Sequence, residues 1–221
     1  QAPVRSNPVG SYVTHFTVPQ TWADMRVVLT LHGVESACYV WVNGILLGYA
    51  EDGFTPSRFD MTDALVQGEN RLAVEVYRYS AATWLEDQDF WRFSGIFRDV
   101  EIQAEPCAHV QDVFVHAEPD ETMQTGNLSA TLLLTLPAEP VMLHVALLDE
   151  NGVVDSWSQP AQPELTLTRA VPVVRLWSAE CPMLYTLRLS LVSTQGKVWE
   201  VAQTAFGFRQ VAIKGGLLLL N

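Results

Sequence analysis

The stretch Tyr39-Val40-Trp41-Val42-Asn43-Gly44-Ile45-Leu46-Leu47 decides the fold class of this chain. Branched and aromatic residues on both sides of an Asn-Gly pair are a strong short-range signature of two antiparallel strands. Asn and Gly readily take the two positive φ values of a type I′ turn. The same period of two spreads outward from this hairpin. Upstream, Tyr12, Thr14, Phe16 and Val18 alternate with Val13, His15 and Thr17, and Val27, Leu29 and Leu31 repeat the pattern. Downstream, Leu72, Val74 and Val76 alternate with Ala73, Glu75 and Tyr77, and Leu128, Ala130, Leu132, Leu134 and Leu136 form a longer series. Leu143, Val145 and Leu147 run into Asn151-Gly152, a second hairpin signal. Tyr185, Leu187, Leu189 and Leu191 lead to Gln195-Gly196 and a returning Val198-Trp199-Glu200-Val201. No stretch of helical period longer than about two turns competes. The expected class is all-β, built of sandwiches.

Composition narrows the functional classes. Of 221 residues, 48% are hydrophobic and 17% charged, the reverse of a disordered chain. Acidic residues number 25 against 13 Lys plus Arg, a formal net charge of -12. The only lysines are Lys197 and Lys214, so the chain lacks the basic footprint that nucleic acid requires. Its apolar runs are too short for a membrane-spanning helix. Three cysteines, Cys38, Cys107 and Cys181, are widely spaced and form no C-x-x-C pair. This argues against a disulfide framework and zinc, and for a reducing, cytoplasmic setting with three buried thiols.

A boundary is expected near Ala104-Glu105-Pro106-Cys107, where Pro106 interrupts a strand-like run from Arg98 to Gln103. The second half then carries about seven strand candidates, the size of an immunoglobulin-like sandwich, without the Cys…Trp…Cys spacing of antibody domains. The chain begins Gln1-Ala2-Pro3 and closes on Leu217-Leu218-Leu219-Leu220-Asn221, a strand apolar on both faces. Such a strand needs cover on both sides, so the sequence reads as a fragment of a longer protein.

One segment stands apart chemically: Trp84-Leu85-Glu86-Asp87-Gln88-Asp89-Phe90-Trp91-Arg92. Three carboxylates within four residues repel one another unless a cation, a sugar hydroxyl or water takes up their charge. Tyr77, Tyr79, Trp84, Phe90 and Trp91 surround them. Carboxylates that accept from hydroxyls, beside aromatic faces that pack on C–H groups, suit a sugar site. Oxygen ligands also suit a hard cation such as sodium, magnesium or calcium. A solvated loop whose aromatics pack the core accounts for the same residues. Asp149-Glu150-Asn151-Gly152 and Glu51-Asp52-Gly53 read as turns first. His15, His32, His109, His116 and His144 are isolated, and His109 and His116, seven apart, are expected on opposite faces of a strand. There is no G-x-S-x-G, P-loop or G-x-G-x-x-G motif, and no nucleophile-and-base pair.

The run from Trp84 through Arg92 continues Phe93-Ser94-Gly95-Ile96-Phe97-Arg98-Asp99-Val100. As a whole it closely resembles the end of the sugar-binding jelly-roll domain of family 2 glycoside hydrolases, and more narrowly of large bacterial β-galactosidases. Asn7-Pro8-Val9-Gly10-Ser11-Tyr12, Gly33-Val34-Glu35-Ser36-Ala37, Trp41-Val42-Asn43-Gly44 and Gly68-Glu69-Asn70-Arg71-Leu72-Ala73-Val74 match too. In the second half, Leu176-Trp177-Ser178-Ala179-Glu180-Cys181-Pro182, Leu184-Tyr185 and Gly207-Phe208-Arg209 resemble the immunoglobulin-like domain of the same family.

The resemblance implies three regions. Residues 1–105 are a jelly roll lacking its first strands and an N-terminal galactose-contacting asparagine, residues 106–211 are an immunoglobulin-like sandwich, and residues 212–221 begin a (β/α)8 barrel. It implies a parent enzyme that hydrolyses terminal β-galactosides with retention, through a glutamate pair about 5–5.5 Å apart. In the family that pair belongs to the barrel, so no catalytic residue is assigned here. By the same resemblance Asp89 matches a residue that ligates an active-site sodium and contacts galactose, with the other sodium ligands in the barrel. Trp91 and Arg92 would support the loop. Sodium and magnesium are expected for the parent, a homo-oligomer acting on a β-galactoside, and neither ion is expected to bind this chain tightly. In well-studied bacterial members a long loop completes a neighbouring subunit's site. The corresponding Ser158-Gln159-Pro160-Ala161-Gln162-Pro163-Glu164 is short and proline-bearing here, a departure from the family pattern on which that tetramer arrangement rests.

Two other classes fit the same residues. One is a free-standing carbohydrate-binding module, since jelly rolls with aromatic and acidic loops bind sugars. The other is a structural tandem sandwich. Glucuronidase relatives share the architecture, and the Glu-Asp-Gln-Asp run leans towards galactosidases.

Overall fold

A computed structural model describes residues 6–86, 89 and 91–221. Asp87, Gln88 and Phe90 of the acidic run lie outside the described residues. The chain divides into two compact units, Gln1–Glu105 and Pro106–Asn221.

The first unit contains β1 (Val9–Thr17), β2 (Arg26–Leu31), β3 (Val34–Glu35), β4 (Ala37–Val42), β5 (Ile45–Ala50), β6 (Ser57–Asp60), β7 (Glu69–Tyr77), β8 (Gly95–Ile96) and β9 (Val100–Glu105). One sheet runs β1-β7-β4-β5, the other β6-β2-β9, and β3 pairs with β8. The alternating residues anticipated from sequence meet between the sheets: Val27, Leu29 and Leu31 of β2 face Val40 and Val42 of β4 and Leu72, Val74 and Val76 of β7 in one buried cluster. Each such side chain contributes about 1.5–3 kcal/mol on burial. The even-numbered face of β2 is buried as well. Arg26 lies against Asp60 at 2.7 Å and Glu105 at 3.1 Å, and Arg58 also pairs with Glu105. These long stems share the face of Val28 and Thr30.

The hairpin between β4 and β5 turns at Asn43 (φ 52°) and Gly44 (φ 85°), both left-handed as a type I′ turn demands. Asn43 does more than turn. Its Nδ2 donates to Ala64 O at 2.9 Å and to Asn70 Oδ1 at 2.8 Å, while its Oδ1 accepts the Arg71 amide at 2.9 Å. Asn70 is fully buried, and its side chain also bonds the backbone of Val66 and Gly68. Two neighbouring turns are thereby tied by one amide pair.

The second unit contains β10 (His109–Pro119), β11 (Gly126–Thr135), β12 (Val141–Asp149), β13 (Gly152–Pro160), β14 (Glu164–Val171), β15 (Tyr185–Ser193), β16 (Val198–Phe206), β17 (Val211–Lys214) and β18 (Leu217–Leu220). Sheets β10-β11-β14 and β13-β12-β15-β16 enclose a leucine-rich core, including Leu132, Leu143, Leu147, Leu187 and Leu191. The pairing is that of an immunoglobulin-like sandwich. At the start of β15 the Tyr185 hydroxyl accepts the Arg175 amide at 3.0 Å, ten residues upstream, in the manner of the tyrosine corner of such domains. β17 and β18 form a separate hairpin whose Ile213, Leu217 and Leu218 are exposed.

Three local expectations are corrected. The β12–β13 turn closes over Glu150 and Asn151, one residue before the Asn-Gly pair, because Asp149 Oδ1 captures the Asn151 amide at 2.8 Å. In β10 the register shifts between Val110 and Asp112, so His109 pairs with Thr135 and His116 with Ser129. Those partners are six apart on β11, and the bulge brings the two histidines to one face instead of two. Of the three thiols only Cys38 is buried, and burial pushes it up to about 11. Cys107 and Cys181 are exposed because they fall outside the strands, Cys181 in a turn whose Ser178 amide bonds its carbonyl at 3.1 Å.

Candidate functional site

The acidic, aromatic run leaves the end of β7 under tight control. Asn7 and Tyr79 exchange two bonds, Nδ2 to O at 2.8 Å and N to Oδ1 at 2.9 Å. Thr83 Oγ1 then accepts the Ser80 amide at 2.9 Å, opening a single 3-10 turn, Ala82–Trp84. The Leu85 and Glu86 amides both close onto Ala82 O. On the far side, Ser94 (φ 58°) and Gly95 (φ 93°) are left-handed, and the Ser94 amide donates to Glu35 Oε2 at 3.1 Å. Gly95 and Ile96 then enter the ladder opposite Glu35 and Val34. The loop is therefore fastened at both ends.

Between these fastenings the sequence-predicted residues part company. Glu86 turns inward, and its Oε1 accepts the Gly53 amide at 2.8 Å. Its Oε2 is buried and has no hydrogen-bond partner among the described residues. Asp89 is exposed. The Arg92 guanidinium lies 4.6 Å from the centroid of the Trp84 ring, a cation–π pair. Trp91 and Phe93 project outward, 80% and 75% exposed, with centroids 6.3 Å apart and planes inclined by 24°. The exposed Asp89 carboxylate offers acceptors for hydroxyls, and the two exposed aromatic rings offer flat surfaces for C–H groups. Among the described residues there is no group of three or more His, Cys, Asp or Glu able to hold a metal ion.

The support from Glu51-Asp52-Gly53 was invisible in sequence. Asp52 Oδ1 accepts the Phe54 and Thr55 amides at 3.2 and 3.1 Å, shaping a turn that presents the Gly53 amide to Glu86. The Thr55 hydroxyl, with these amides, holds the Asp52 carboxyl below its ordinary value. Arg98 completes the frame, donating to Phe54 O at 2.8 Å beside the ring of Phe97. Nothing in residue spacing links position 53 to position 86.

Residues 1–106 match the model of the glycosyl hydrolases family 2 sugar binding domain, and residues 108–209 match a second glycosyl hydrolases family 2 model. The chain belongs to glycoside hydrolase family 2. This family 2 chain is similar to the β-galactosidase of Halalkalibacterium halodurans, 44% identical over 100% of the chain and 22% of that protein. It is 42% identical to the β-galactosidase large subunit of Latilactobacillus sakei, over 97% of the chain and 34% of that subunit. The family 2 chain thus spans about a fifth to a third of the length of these curated relatives. Its fold matches the crystal structure of Bacteroides uniformis β-glucuronidase with a TM-score of 0.87 at 22% identity, over 98% of the chain and 28% of that structure. The likeness supports the all-β sandwich architecture. Among the described residues no helix is long and apolar enough to cross a membrane.

Proposed function

We propose that this chain is a non-catalytic portion of a cytoplasmic, homo-oligomeric, retaining β-galactosidase, a jelly roll lacking its first strands followed by an immunoglobulin-like sandwich. Its task in this reading is to support the active site of the parent enzyme, whose catalytic glutamates reside in a (β/α)8 barrel beginning within residues 212–221. The observation that carries it is 44% identity to a β-galactosidase over the whole chain, which accounts for 22% of that relative. The family hydrolyses glycosides, and the parent's substrate would be a terminal β-galactoside.

Asp89 is the residue of this chain that reaches the sugar. Its exposed carboxylate is a hard oxygen donor and fits one position of a sodium shell, with the remaining ligands supplied elsewhere in the parent. Sodium there would supply positive charge that orients sugar hydroxyls. Magnesium is expected in the parent as well, and no residue of this chain is assigned to it. Arg92 and Trp84 brace the loop so that Asp89 and Trp91 are held in place before substrate arrives.

The test joins this chain to the remainder of its parent gene. The expected result is β-galactosidase activity for the intact protein and none for residues 1–221 with a chromogenic galactoside. A gene that encodes no glutamate-bearing barrel overturns the reading. The exposed Trp91–Phe93 pair favours one rival, a self-sufficient sugar-binding module. Calorimetry of galactose with the isolated chain separates the two, because saturable binding without a barrel belongs to that rival.

A further inference from the structure

We propose that the outer face of the sheet β13-β12-β15-β16 carries a small oxyanion site that takes a phosphate group. Its floor is Ala146. Register places Ser156 and Arg188 on either side of Ala146 in one cross-strand row, with Ser158 and Ser190 on either side of His144 in the next. Directly paired residues stand about 4.5–5.5 Å apart on one face, so the small side chain of Ala146 leaves a depression ringed by larger polar ones. A cavity of about 260 Å³ occupies this place, lined by His144, Ser156, Ser158, Arg188 and Ser190 around Ala146.

The rim is chemically one-sided. It offers three hydroxyls, an imidazole and a guanidinium, and no carboxylate. Val201 and Gln203 extend the two rows onto β16 and add no acid. On a chain of net charge -12 this is an unusual concentration of donors. Arg188 has no acidic partner among the described residues, whereas Arg169 on the neighbouring sheet is held by Asp155 at 3.1 Å and Arg175 by Glu150. His144 Nδ1 lies 2.7 Å from Ser158 Oγ. With the hydroxyl donating to Nδ1, the imidazole keeps its proton on Nε2 and turns a donor outward. A tetrahedral oxyanion can accept from the Arg188 fork, His144 Nε2 and serine hydroxyls at once.

The shared chemistry is a phosphate group, either free phosphate or a phosphomonoester on a small metabolite. Titration calorimetry of inorganic phosphate, and separately of glucose 6-phosphate, into the 221-residue chain at fixed ionic strength tests it. Saturable binding of either is expected, and the tighter of the two identifies the source. Arg188→Gln should weaken binding at least about tenfold, and Ser158→Ala by a smaller factor. Both positions are exposed, and an unchanged thermal melt establishes that each variant folds. Arg71→Gln, an exposed arginine in the first unit, should bind as the parent chain does. Absence of saturable heat, or equal weakening by Arg71→Gln and Arg188→Gln, overturns the site.

Discussion

The Glu86 carboxylate accepts the Gly53 amide proton at 2.8 Å, linking two loops 33 residues apart. This bond turns half-buried Glu86 inward, whereas Asp89 of the same run is exposed. Glu86→Ala should destabilise the first unit by about 1–2 kcal/mol, because the Gly53 donor loses a charged acceptor at a half-buried site. Urea unfolding measures the loss. Faster hydrogen exchange at Gly53 would locate it.

Asp89→Asn should behave oppositely. The side chain is exposed, so stability should stay within about 0.5 kcal/mol of the parent chain. In the intact parent enzyme the same change should weaken sodium activation and galactoside turnover. Identical kinetics across a sodium titration would remove Asp89 from the site.

Asn70→Ala removes a buried amide that partners Asn43 and the backbone of Val66 and Gly68. A cost of roughly 2–4 kcal/mol is expected from several unsatisfied groups together. Chemical denaturation of the variant gives the value, and a change under about 0.5 kcal/mol would show that water replaces the lost partners.

Tyr185→Phe deletes the acceptor of the Arg175 amide while keeping the ring, which packs edge-on against Phe208 with centroids 5.1 Å apart. About 1–3 kcal/mol should be lost. The melting transition of the second unit is the readout.

Acid should weaken the first unit partly through Asp60. Burial pushes its carboxyl up, but the bonds from Arg26 and Thr62 outweigh this and hold it below the ordinary value. A depressed carboxyl contributes stability that is present above its unfolded value of about 3.9 and is lost as pH falls through the folded one. Asp60→Asn should therefore be less stable than the parent chain near neutrality. The difference should shrink in denaturation curves taken below about pH 4.

Much of the fold was legible in the sequence. The strands around Leu29, Val74, Leu132 and Leu189 alternate with a period set by the extended backbone itself, and Asn43-Gly44 states its own turn. The run from Glu86 to Arg92 was legible as a place worth attention through carboxylate density and aromatic neighbours, and the family resemblance singled out Asp89, with Trp91 and Arg92 as supports. The inward turn of Glu86 was not legible. The partner of Glu86 is a backbone amide, and an amide has no signature in residue identity.

Local chain chemistry by itself determined the all-β class, the hairpins and two strand-rich halves, because side-chain alternation and turn preferences need no distant partner. Only the tertiary structure decided which carboxylate turns inward, which thiol is buried, and which face His109 and His116 share. Each of those depends on what lies across the sheet: the Gly53 donor, the packing around Cys38, or the bulge at Gln111 against β11. A register shift of one residue reverses the facing of every side chain beyond it, and only the partner strand shows where that shift falls.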